Sequence, residues 1–158
     1  MLYVYGPVPS RRLGSSLGVN LTPFKTCSYS CVYCQLGRTT CKTVERKQFF
    51  PREDVLAEVL AALEKTKPDY VTFAGEGEPT LNSDLGWLLE RLERLKTETG
   101  AGAAEREVKT AVITNSSLLW RKDVREDLSL SDACLPSLDA VSEDVFKRIN
   151  RPHRSLTA

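Results

Sequence analysis

The chain reads as an α/β fold built on a parallel sheet, and two observations carry that expectation. Short runs rich in β-branched and aromatic residues alternate four times with longer amphipathic stretches along the 158 residues. The polar and sulfur-bearing residues gather where the short runs end. Such alternation implies right-handed crossovers between parallel strands, in either a (β/α) barrel or a doubly wound sheet. In both, ligand chemistry collects at the carboxyl ends of the strands.

Residues 17–21, Leu-Gly-Val-Asn-Leu, predict the first strand, which Pro23 keeps from extending as a central strand. It opens into a loop that carries Cys27, Cys31 and Cys34. Residues 54–65 set Val55, Leu56, Val59, Leu60 and Leu63 at helical spacing as one apolar stripe, and Pro68 helps to end that helix. The second strand is 70–74, Tyr-Val-Thr-Phe-Ala, with Gly75-Glu76-Gly77-Glu78-Pro79 directly behind it. A second helix spans 84–96, striped by Leu85, Leu88, Leu89, Leu92 and Leu95, with Asn82 or Ser83 as its N-cap. Residues 97–107 read as a mobile linker.

The third strand, 109–113, runs into Thr114-Asn115-Ser116-Ser117, and 121–128 form a weaker helix. Around 134–141 lies the fourth strand, interrupted by Pro136, with Ser137 and Asp139 near its end. Ser142 then caps a short helix through Val145, Phe146 and Ile149.

A hydrophobic content of 41% with 27% charged residues is the makeup of one globular domain that buries a core. Lys and Arg total 22 against 21 Asp and Glu, so neither a globally basic nucleic-acid binder nor an acidic solvating tail fits. No apolar run approaches the roughly 20 residues of a membrane span, and the N-terminus lacks the basic and apolar regions of a signal peptide. The expectation is a cytoplasmic protein without a membrane partner. Five cysteines, three of them between positions 27 and 34, suit a metal site in a reducing compartment better than a disulfide framework.

The spacing Cys27-x3-Cys31-x2-Cys34 on a strand-to-helix loop lets a single turn deliver three thiolates to one face of a [4Fe–4S] cube. An electron-carrying cluster usually takes four protein cysteines, so three leave one iron free for another ligand. The rival reading adds Cys41 to complete a zinc site or a four-cysteine electron-transfer cluster in a noncatalytic module. Cys134 reads as a buried strand residue.

The segment Cys27-x3-Cys31-Val32-Tyr33-Cys34, with an aromatic before the last cysteine, resembles the signature of the radical S-adenosylmethionine (SAM) superfamily. Gly75-Glu76-Gly77-Glu78-Pro79 resembles that superfamily's second motif. Gly6-Pro7-Val8-Pro9-Ser10-Arg11-Arg12-Leu13-Gly14, Pro136-Ser137-Leu138-Asp139-Ala140 and Asn150-Arg151-Pro152-His153 extend the likeness over essentially the whole chain. They resemble a subgroup of Fe–S oxidoreductases related to wyosine tRNA-modifying enzymes.

The resemblance implies the N-terminal part of a radical SAM barrel, a partial (β/α) barrel of about four strand–helix units. It implies that Cys27, Cys31 and Cys34 hold a [4Fe–4S] cluster whose unique iron binds the amino and carboxylate groups of SAM. One-electron reduction, from a partner such as flavodoxin or ferredoxin, then splits the cofactor into methionine and a 5′-deoxyadenosyl radical that abstracts a substrate hydrogen. A tRNA base is the implied substrate, which the near-neutral charge does not reinforce. Gly75 and Gly77 would permit close backbone approach, so that carbonyls and the carboxylates of Glu76 or Glu78 receive the ammonium group, with Pro79 stiffening the turn. Tyr33 would pack near the adenine, and Asn115 or Ser137 would touch the ribose or the methionyl carboxylate.

Plainer readings stand beside these. Tyr33 also fits a core aromatic, and Asn115 a helix cap or turn residue. Arg11 and Arg12 fit a phosphate grip or solvated loop cations, and Asp139 a substrate contact or a strand-end cap. His153, the one histidine, reads as a surface residue. Superfamily members generally close at least six strand–helix units, so the expectation for 1–158 is a single core domain truncated before the fifth strand. Its fourth strand would then present an unpaired edge open to self-association.

Overall fold

The computed structural model describes residues 3–98 and 108–157. It begins with a hairpin absent from the sequence reading, in which β1 (Val4–Ser10) pairs antiparallel with β2 (Gly14–Val19). Gly6, Pro7 and Pro9 read locally as loop. An edge strand accepts them because its outward N–H positions owe no ladder bond, and the register does shift between Tyr5 and Val8.

Within the cysteine segment lies a two-residue parallel ribbon, β3 (Thr26–Cys27) with β4 (Cys41–Lys42). Then follow α1 (Arg52–Lys65), β5 (Tyr70–Phe73), a 3-10 turn (Pro79–Leu81), α2 (Leu85–Glu98), β6 (Lys109–Thr114), α3 (Lys122–Leu128), β7 (Ala133–Pro136) and α4 (Glu143–Ile149). Thr97 and Glu98, expected in a linker, belong to α2. The rest of that expected linker, 99–107, lies outside the described residues. The expected fourth strand is shorter than its apolar content implied. Pro136 brings no N–H, and the Ser137 amide donates to the Thr114 carbonyl at 2.9 Å, after which the backbone leaves the sheet.

The main sheet runs β1-β2-β5-β6-β7, with every pair from β2 onward parallel. Among these strands the order never reverses, as it must in a doubly wound sheet. Right-handed crossovers in a single direction put α1, α2 and α3 on one face. The apolar positions match: Leu17, Val19, Val71, Phe73 and Val112 share one core with Val55 and Val59 of α1, Leu85, Leu88, Leu89 and Leu92 of α2, and Val124 and Leu128 of α3. Burying each large side chain contributes about 1.5–3 kcal/mol. The opposite face is mixed, with Ser16 Oγ and Thr72 Oγ1 buried 2.7 Å apart and Ala111 buried alongside.

The last helix departs from this plan. Phe146 of α4 packs edge-on against Tyr29, ring centroids 5.4 Å apart at 78°. The Ser30, Val32 and His153 amides donate to the carbonyls of Asn150, Ile149 and Ser28 at 2.9, 2.9 and 2.8 Å. The segment 149–153 is thus strapped to the cysteine loop. Among the described residues, no helix is long and apolar enough to cross a membrane.

Candidate functional site

Beyond the carboxyl end of β2 the chain turns through Pro23 and Lys25 into β3, which delivers Cys27. Cys31 and Cys34 follow on one tight turn, closed by the Cys34 amide donating to the Cys31 carbonyl at 3.2 Å. The three thiols are half-buried neighbours, since Cys31 disfavours ionisation of Cys27 and Cys34 does the same to Cys31. Burial pushes the Cys27 thiol up to about 12, with the Glu78 carboxylate next in effect. Burial raises Cys31 as well, opposed by donors from Asn150 and Tyr33. Among the described residues no three His, Cys, Asp or Glu side chains converge as ligands of one metal ion do. Thiolates that each hold a separate corner of a cube do not have to.

The glycine loop after β5 docks directly on this segment. Lys25 N–H donates to the Glu76 carbonyl at 2.7 Å, and Glu78 N–H donates to the Thr26 carbonyl at 3.1 Å. At Gly77 a Cβ would fall 2.0 Å from the Thr26 carbonyl oxygen, so only glycine lets the loops meet. Gly75 adopts φ +132°, with Asn20 Oδ1 where a side chain would stand, and that oxygen accepts from the Glu76 amide at 2.9 Å. The glycines therefore let one loop seat on the other.

Glu78 is 2% exposed and occupied internally. Its Oε1 accepts from Thr80 N–H at 3.2 Å, Thr80 Oγ1 at 2.7 Å and Thr114 Oγ1 at 2.6 Å, and its Oε2 accepts from the Asn115 amide at 2.8 Å. Burial raises its carboxyl above the usual range, opposed by these donors. It joins the end of β5 to the end of β6. Glu76 is half-buried, and Pro79 is buried at the start of the 3-10 turn.

Asn115 fills the turn role and reaches a sulfur as well. Its Oδ1 accepts from the Ser117 amide at 3.0 Å, while Nδ2 donates to Ser28 Oγ at 2.9 Å and to Cys27 Sγ at 3.4 Å. Ser137 is exposed after β7, its carbonyl held by Ser116 Oγ at 2.7 Å. Tyr33 is no core aromatic: it is 59% exposed, and its hydroxyl donates to Asp139 Oδ2. Asp139 also accepts from Asn150 Nδ2 at 2.6 Å, so it ties two groups at the cysteine loop. A cleft of about 520 Å³ is lined by Tyr29, Asn115, Ser137, Asp139 and Asn150 among others, and the two asparagines also donate to the sulfurs.

Cys41 sits apart. In the β3–β4 register it pairs with Thr26, so it shares that residue's side of the ribbon, opposite Cys27, and it is exposed. Cys134 is exposed, a correction to its expected burial, on β7, the outermost of the described strands, which pairs there with β6 alone. Arg11 and Arg12 are exposed in the β1–β2 turn. His153 is half-buried, with Nδ1 2.8 Å from Ser155 Oγ.

Two further residues belong to the site and had no role in the sequence reading. Tyr29 lies among Glu78, Cys31, Asp139 and Cys27, and burial, foremost, pushes its phenol up to about 12. Asn150 is 1% exposed and donates from Nδ2 to Cys31 Sγ at 3.5 Å as well as to Asp139. Its place in the Asn-Arg-Pro-His segment marked it as part of a motif. No local pattern points to a sulfur more than a hundred positions away.

A radical SAM superfamily domain matches residues 21–156. A UPF0026 protein of Methanocaldococcus jannaschii is 45% identical over 99% of this chain and 46% of its own length. A UPF0026 protein of Synechocystis is 42% identical over 94% of this chain and 52% of its own. A Brachyspira hyodysenteriae protein named GTPase Obg is 40% identical over 97% of this chain and 21% of its own. The chain thus spans about half the length of these UPF0026 relatives. The matched residues take in the cysteine turn, the glycine loop docked on it, and both asparagines that reach the sulfurs, and on that match the chain belongs to the radical SAM superfamily.

Proposed function

We propose that Cys27, Cys31 and Cys34 hold three irons of a [4Fe–4S] cluster and leave the fourth for S-adenosylmethionine. The observation that carries this reading is the meeting of the two motif loops, where three neighbouring thiols lie on a turn that the glycine loop grips through Thr26 and Lys25. The donor set fits the group. Soft sulfur ligands suit iron–sulfur chemistry, and amide donors from Asn115 and Asn150 already point at two of the sulfurs. Cys41, on the far side of its ribbon, does not favour a four-cysteine module.

When bound, the cluster and cofactor supply a one-electron reductive cleavage that yields a carbon radical for hydrogen abstraction. The chain's own part is to bind, orient and exclude water. Glu78 locks the ends of β5 and β6 together through its bonds to Thr114 and Asn115, while Thr80 holds the carboxylate from its own loop. In this reading the loop of Gly75, Glu76, Gly77 and Pro79, docked on the cysteine segment, receives the cofactor's ammonium group. Asn115 and Ser137 offer polar contacts from the cleft, and Tyr33, exposed over Asp139, offers a ring face for the adenine. The four parallel strands are read as the first of a (β/α) barrel within one domain, 1–158, and flavodoxin or ferredoxin as the source of the electron. The narrower likeness to wyosine tRNA-modifying enzymes rests on three motif segments. One of them, 136–140, walls the cleft, and another, 150–153, straps the cysteine loop.

Anaerobic reconstitution with iron and sulfide, followed by electron paramagnetic resonance with and without SAM and an assay for 5′-deoxyadenosine, tests the reading. A reduced-cluster signal that shifts on adding the cofactor, with 5′-deoxyadenosine formed, is the expected result. A cluster whose spectrum ignores SAM would overturn it.

A further inference from the structure

Two carboxamides distant in sequence from the cysteine turn end on its sulfurs. Asn115, just past β6, donates to Cys27 at 3.4 Å, and Asn150, which ends α4, donates to Cys31 at 3.5 Å. Neighbours fix both orientations. Asn115 Oδ1 is taken by the Ser117 amide at 3.0 Å, so its nitrogen must face the sulfur. Asn150 faces the Asp139 carboxylate at 2.6 Å, where an amide oxygen would be repelled.

Asn150 also bears a cost for being there. Among the described residues its Oδ1 is buried with no hydrogen-bond partner. A leucine has the same branched outline, though it is bulkier, and carries no such penalty, so what the amide contributes is its Nδ2, shared between Asp139 and Cys31.

We propose that Asn115 and Asn150 are positioning residues that set the reduction potential of the cluster by donating N–H···S hydrogen bonds to the Cys27 and Cys31 thiolates. The inference rests on the cluster reading above. Reduction adds negative charge that is partly carried by the sulfurs, so each donor binds the reduced state more strongly than the oxidised one and raises the potential. Asn150 is screened from water, which strengthens its bond and leaves little solvent to replace it. Because it sits at the C-cap of α4, the potential is also coupled to the seating of the strap 149–153.

The test is a redox titration followed by electron paramagnetic resonance on reconstituted wild type, Asn150→Leu, Asn115→Ala and the double variant, with iron counted per chain. At the wild-type midpoint, loss of one donor lowers the ratio of reduced to oxidised cluster roughly tenfold, the equivalent of a charge-assisted hydrogen bond. For a one-electron couple that is a midpoint about 59 mV more negative. The double variant shifts further. A purely structural role would lower iron content and leave the potential of assembled clusters unchanged, and that outcome overturns the inference while the cluster reading stands. A wild type that assembles no cluster overturns both. Pulsed resonance on wild type grown with isotope-labelled asparagine needs no variant: coupling between amide nitrogen and the reduced cluster is expected, and its absence overturns the inference.

Discussion

The Glu78 backbone amide donates to the Thr26 carbonyl at 3.1 Å, immediately before the first cysteine of the turn. Together with the Lys25 amide on the Glu76 carbonyl, this bond joins the two motif loops, and the Glu78 side chain carries the connection on to Thr114 and Asn115 at the end of β6. Three strand ends, β2, β5 and β6, are therefore held in one constellation before any ligand arrives.

Gly77→Ala should break that junction. The added Cβ would stand 2.0 Å from Thr26 O and 2.3 Å from Thr22 Oγ1, and the first of these is backbone that cannot swing away. Forcing the loops apart costs about 1–3 kcal/mol. Thermal unfolding should shift down, and the iron bound per chain after reconstitution should fall below wild type. A variant with wild-type melting and iron content would show that the loops meet without this contact.

Alanine at Cys27, Cys31 or Cys34 should each remove most of the reconstituted iron, whereas Cys41→Ala should keep it. The register pairs Cys41 with Thr26, on the opposite side of the ribbon from Cys27. Iron and sulfide analysis with the visible absorption of the reconstituted variants decides it, and loss of the cluster in Cys41→Ala would return the four-cysteine module to favour.

Local pattern carried the parallel strands and the helices α1 and α2, because Leu17, Val71, Phe73 and the leucines of α2 repeat with the period of their own element. It missed β1, whose prolines are tolerated only at an edge that tertiary pairing creates. The cysteines and the glycine loop were legible as chemistry, since few other residue types can wrap a cluster or pass so close to another backbone. The direction in which those residues face was not. Glu78 turns inward to hydroxyls and an amide, Gly77 faces Thr26, and Asn150 reaches Cys31, and each of these follows from contacts between elements far apart in the chain.

Arg46→Met should destabilise far more than Asp123→Asn. The Arg46 guanidinium is largely buried, donates to the Thr80 and Asn82 carbonyls at 2.9 and 3.2 Å, and pairs with Asp123 and Asp127. Burial holds the Asp127 carboxyl above its usual range even beside this cation, so removing the cation strands a half-buried carboxylate and two carbonyls. The expected loss is about 3–5 kcal/mol. Asp123 is about half exposed and shared with Arg121, so its loss should cost under about 1 kcal/mol. Urea unfolding of the two variants measures the difference, and equal costs would deny Arg46 this role.

The free side of β7 should drive self-association. Among the described strands β7 pairs only with β6, which leaves a row of backbone groups open. Just beyond it, Leu138 and Val141 are 82% and 86% exposed, so an apolar surface continues the edge. A charged side chain there opposes docking of a second copy without touching the core. Sedimentation of the isolated 158-residue chain should reveal oligomers whose population falls with dilution, and Leu138→Glu with Val141→Lys should move it toward monomer. A wild-type chain that stays monomeric across the concentration range and unfolds cooperatively would mean that the short strand, ended by Pro136, is already blunted enough to stand alone.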